Sequence, residues 1–125
     1  MPAVAATLFT VLLAALAAFQ LALIAGAPWG RLAWGGQDRV LPARKRIGSV
    51  VSIVLYAVFA VVALDRAGLA DVLPDGFAVV AMWVIVAYLA IGIPLNAISR
   101  SRPERFVMTP VVVVLVVLAL LVALG

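Results

Sequence analysis

The chain has 125 residues, of which 68% are hydrophobic and 11% charged, and a formal net charge of +4. A water-soluble domain of this size leaves much of its surface wet and could not hide so much apolar side chain, so lipid is the solvent the composition calls for. Cysteine and histidine are both absent, which excludes disulfides, thiol catalysis, thiolate metal sites and the commonest metal ligand and general base.

A helix needs roughly 20 apolar residues to cross the hydrocarbon core of a bilayer. Four segments meet that requirement, at about 3–25, 47–64, 77–97 and 106–124. They are too long and too continuous for barrel strands, and helices satisfy their own backbone hydrogen bonds, as lipid demands. The expected fold is an all-α integral membrane protein, a single four-helix transmembrane bundle over residues 1–125. The first segment has no Lys or Arg ahead of its apolar run, so it reads as a retained helix rather than a signal peptide.

Charge sets the expected orientation. Loop 26–46 carries Arg31, Arg39, Arg44, Lys45 and Arg46, and loop 98–105 carries Arg100, Arg102 and Arg105. Loop 65–76 carries Arg66 alone, among Asp65, Asp71 and Asp75. By the positive-inside rule the two basic loops are cytoplasmic and both termini lie outside the inner membrane. The same rule accounts for the basic residues without nucleic acid as a partner.

In the first helix Ala6, Thr10, Ala14, Ala18, Ala22 and Gly26 recur every four residues, a stripe that would let a neighbouring backbone approach closely. Gln20 is its only strongly polar deep residue, and an amide in hydrocarbon needs a partner. Pro28 should stop this helix. Trp29 and Trp34, each followed by glycine, suit the headgroup level and would lid whatever lies beneath.

The second helix follows Pro42 and the cluster Arg44-Lys45-Arg46. Ser49, Ser52 and Tyr56 share one face, and Tyr56 falls near the midplane. Pro74-Asp75-Gly76 is a turn signal. In the third helix Tyr88, Gly92 and Asn96 share a face, and Pro94 removes a backbone hydrogen bond near its end. Asn96 suits the kinked helix end that this leaves. Ser101-Arg102-Pro103-Glu104 has capping-box spacing. Beyond Thr109 the fourth helix has no polar side chain and is expected to face lipid or another protomer.

A weak internal repeat would make the bundle two tandem hairpins. Gly26-Ala27-Pro28 matches Gly92-Ile93-Pro94, and Pro42-Ala43-Arg44 matches Pro103-Glu104-Arg105. Such copies would be related by an axis along the membrane normal.

No motif for phosphate, metal or a nucleophile is present. What remains is a constellation of Gln20, Trp29, Trp34, Arg44, Ser49, Ser52, Tyr56, Tyr88, Asn96, Ser99, Arg102 and Arg105. If the helix faces converge, these residues form a polar notch open to the cytoplasm, with arginines at its rim suited to an anionic guest. The expected function is non-enzymatic binding or transport of a small or lipid-like ligand, with no cofactor. Its partners would be membrane lipid and either a second copy, giving a homodimer, or a larger membrane protein. The alternative is an accessory subunit packing against such a protein. An enzyme acting on lipid ranks third, because Asp38 and Glu104, the only acids outside loop 65–76, both have arginine neighbours.

Overall fold

The computed structural model describes residues 2–30, 40, 42–98 and 102–125, with Asp75 described in its backbone only. Among them are four helices and no strand: α1 (Pro2–Ile24), α2 (Ala43–Arg66), α3 (Asp75–Ala97) and α4 (Thr109–Leu124), the last continuing a π-helical stretch at Glu104–Met108. Each helical span is long and apolar enough to cross a membrane, which is compatible with a multi-pass membrane protein.

The helix ends follow local chemistry. Gly26 adopts φ +97°, with Gly26 N donating to Leu23 O and Ala27 N to Ala22 O. This Schellman pair ends α1 before Pro28 is reached. Gly68, at φ +82°, ends α2 in the same way through Gly68 N to Asp65 O and Leu69 N to Leu64 O. Helix α2 starts earlier than expected. Pro42 is its extended N-cap, and the carbonyl of Pro42 accepts from both Lys45 N and Arg46 N, so the basic cluster is helical. Helix α3 likewise starts at Asp75 behind an extended Pro74, and the expected turn is its first residues.

Consecutive helices alternate in direction. The packing is closest within the α1/α2 and α3/α4 pairs, α1 against α4 closes the ring, and the α2/α3 seam is sparser. An apolar groove of about 710 Å³ runs along that seam, between Val58 and Val62 on one side and Phe77 and Val84 on the other.

Two packing expectations are corrected. The four-residue stripe on α1 is not a contact face: Ala6 is buried, but Ala14 and Ala18 are exposed. Four residues advance about 40° beyond a full turn, so such a stripe winds off any straight neighbour. The face that does pack is Ala6, Phe9, Leu13, Leu16, Gln20 and Leu23, in alternating steps of three and four, the spacing that holds a seam against a partner helix. Helix α4 does not only face outward. It buries Leu115, Val116, Ala119, Val122 and Ala123 against the others, α3 foremost. Ala119 and Ala123 mark that face because small side chains permit close approach.

The internal repeat does not extend to local conformation. Gly26 terminates α1 in the left-handed region, whereas Gly92 and Pro94 lie inside α3. Residues 104–108 are π-helical, whereas the matching residues after Pro42 are α-helical.

The core occupies the end of the bundle near loop 67–74. Two polar residues secure that end. Asp65 is buried, and its Oδ2 accepts from Val72 N and Leu73 N, both at 2.8 Å, folding the loop back on α2. Arg66 donates from Nη2 to Ala123 O at 3.1 Å, tying α2 to the last turn of α4, where a cation also suits the helix dipole.

Candidate functional site

The opposite end, where Gly26 meets Arg46, is less tightly filled. A cavity of about 320 Å³ lies between α1, α2, α3 and the start of α4. Its polar lining is Gln20, Ser52, Tyr56, Tyr88, Asn96 and Glu104; the rest is aliphatic and aromatic. Each helix presents these groups through ordinary periodicity. Gln20 continues the α1 seam. Ser52 and Tyr56 are one turn apart on α2, as are Gly92 and Asn96 on α3.

The backbone at this end is built to be wide. Pro110 would clash with the carbonyl four residues back in a regular helix, and the π-helical turn at Glu104–Met108 lies directly upstream, with Glu104 and Met108 on the cavity wall. π-turns accommodate one extra residue and frequently occur at functional sites. Thr109 follows this turn, and its buried hydroxyl has no partner among the described residues. Thr7 and Thr10 in α1, by contrast, donate to the carbonyl four residues back at 2.8 Å.

The lining groups are unequally satisfied. Ser52 Oγ donates to Gly48 O at 3.1 Å, and Asn96 Nδ2 donates to Gly92 O at 2.8 Å. Asn96 thus back-bonds within its own helix. The Gln20 amide lies beside the Tyr56 phenol, within hydrogen-bonding reach. Yet Gln20 Oε1 is buried without a partner among the described residues, in a side chain only 7% exposed. Tyr88 packs edge-on against Phe59, with ring centroids 5.6 Å apart.

Gln20, Ser52, Tyr56, Tyr88 and Asn96 therefore share one cavity. The other expected residues that the structure describes are not among its lining. Ser49 is fully buried one turn before Ser52, with a partner of its own. Arg44 and Arg102 are exposed. Arg105 lies over the ring of its neighbour Phe106, 5.0 Å from the centroid. Trp29 is 51% exposed. Trp34 and Ser99 lie outside the described residues, as does Ser101 of the expected capping box.

Glu104 is the residue that the sequence reading passed over. It reads as a loop acid with arginine neighbours, but it is only 7% exposed and forms part of the cavity wall. The available signal was Pro110: a proline six residues on requires a distorted first turn, and that distortion accompanies the placement of Glu104 in the cavity wall. Among the described residues no group of three acids could hold a metal ion. Comparisons with protein-family models, with curated proteins and with solved structures found no match.

Proposed function

We propose that the chain is a non-enzymatic inner-membrane protein that binds or transports a small or lipid-like ligand in the cavity around Gln20. The observation that carries this reading is Gln20 Oε1, which has no partner among the described residues and is buried in the wall of a cavity of about 320 Å³. A buried acceptor without a donor costs about 1–3 kcal/mol, and a bound guest would offset that cost. Pockets for small ligands are largely apolar, with a few placed polar groups, as this one is.

In the proposed orientation both termini are outside and the cavity lies in the cytoplasmic half, because eight of the nine basic residues fall within residues 26–46 and 98–105 of the sequence. The arginines expected at the rim are not among the described lining residues, so the wall itself offers no described cation to an anionic headgroup. Four helices make a thin wall, and passage through it would use a second protomer.

An accessory-subunit role is favoured by a different feature, the α2/α3 groove, which has no polar lining and could seat a helix of a larger membrane protein. Native mass spectrometry of the protein purified in mild detergent separates the two. A retained small-molecule mass supports the ligand site, and a co-purifying polypeptide supports the accessory role. Orientation is tested with single cysteines, since the chain has none. Val40→Cys should react with an impermeant thiol reagent only from the cytoplasmic side and Asp71→Cys only from outside. The reverse pattern would place the cavity in the outer half.

A further inference from the structure

We infer that the cavity selects an amphiphile with a protonated amine headgroup and an apolar tail over the carboxylate of matched tail. The inference rests on the ligand site proposed above and concerns which chemical class enters it.

The described lining keeps open acceptors and holds no cationic donor. Ser52 has a single hydroxyl proton, and it goes to Gly48 O. Asn96 Nδ2 is turned to Gly92 O. Both side chains spend donors on their own helix and keep oxygen lone pairs in hand. Gln20 Oε1 is an acceptor with no donor among the described residues. Glu104 also contributes to the wall. Glu104 is already engaged with a partner, so the first acceptor open to a guest is Gln20. The donors that remain, on the two phenols and the two amides, are uncharged, and no Lys or Arg is among the described lining residues. A carboxylate guest would find only those uncharged donors and would lose its hydration without a compensating positive charge among the described lining residues.

An ammonium group reverses each of those terms. It carries three donors and no acceptor, matching Gln20 Oε1, Ser52 Oγ and Asn96 Oδ1. Four aromatic rings, of Phe19, Tyr56, Phe59 and Tyr88, contribute to the wall, and ring faces attract cations, most strongly where water is excluded. The aliphatic remainder of the wall suits a tail.

The test uses the full-length protein in non-ionic detergent, with binding followed by native mass spectrometry for decylamine, decanol and decanoate at equal concentration. Decylamine is expected to bind at least about tenfold more tightly than decanol, and decanoate not to compete with it. Gln20→Met keeps the side-chain volume and removes the acceptor, and should weaken decylamine about tenfold, the value of one hydrogen bond to a charged group. Val84→Ala, in the α2/α3 groove, should leave decylamine binding unchanged; a loss there would move the site and overturn the assignment. Decanoate binding as tightly as decylamine overturns it on the wild-type protein alone, whether or not the Gln20 variant folds. If decanol or decanoate binds and decylamine does not, the ligand site stands and the amine selectivity falls. If none of the three binds, the ligand site itself fails.

Discussion

Around loop 67–74 the four helices meet on Ala5, Ala6 and Phe9 of α1, Val62 and Ala63 of α2, Met82 of α3, and Ala119, Val122 and Ala123 of α4, all buried. Around the other end the buried groups include Gln20, Ser49 and Glu104, and the space between helices is a cavity. Both ends are made from the same four helices, and what separates them is which side chains face inward. Five alanines let the backbones close at the first end, where Asp65 and Arg66 then fasten the loop and the last turn of α4. At the second end larger and polar side chains, two prolines and a π-helical turn keep the backbones apart. Small residues bring helices together only where no neighbour holds them open, and a protein can spend the stability gained at one end on a polar site at the other.

The comparison can be broken most decisively in the filled end. Phe9→Ala removes a fully buried ring and should cost about 3–5 kcal/mol, read as a large drop in the melting temperature in detergent. A small drop would mean that this end is not the core. Next, Asp65→Ala strips two backbone N–H groups of their acceptor and should cost about 1.5–3 kcal/mol; Asp65→Asn, which keeps an acceptor, should cost less. Ala119→Leu, at a site with no exposed surface, should destabilise by overpacking, about 1–3 kcal/mol.

The cavity end should answer in the opposite sense. Gln20→Leu exchanges a buried amide whose oxygen has no partner among the described residues for an apolar side chain, and should leave stability unchanged or raise it by up to about 1 kcal/mol, since removing an unsatisfied group relieves its desolvation cost. A marked loss would show that Gln20 is structural and would weaken the case for a ligand. Smallest of all, Ala18→Leu lies on exposed surface of α1 and should not shift the melting temperature measurably. A shift comparable to that of Ala119→Leu would indicate that the small-residue stripe contacts a second protomer.

Much of the architecture was legible because it is local. Helix number and approximate span follow from runs of apolar residues against the thickness of a bilayer, and the grouping of Gln20, Ser52, Tyr56, Tyr88 and Asn96 followed from helical periodicity and depth. Arg44 and Arg102 are exposed for a physical reason. A long charged side chain beside an apolar helix reaches outward to water, so nearness in sequence to the notch did not bring Arg44 or Arg102 to its wall.

By itself, then, the sequence determined the helical class, the span of each element to within a few residues, the charge asymmetry between loops and the polar groups available to a site. Only the tertiary structure decided how each helix is turned. Helices that are apolar nearly all round, as α1, α3 and α4 are, carry no amphipathic stripe to fix their rotation. Which alanines are buried, that α4 packs inward and that Glu104 enters the cavity wall all depend on that rotation. It is set by the mutual fit of side chains between helices, which no single helix contains.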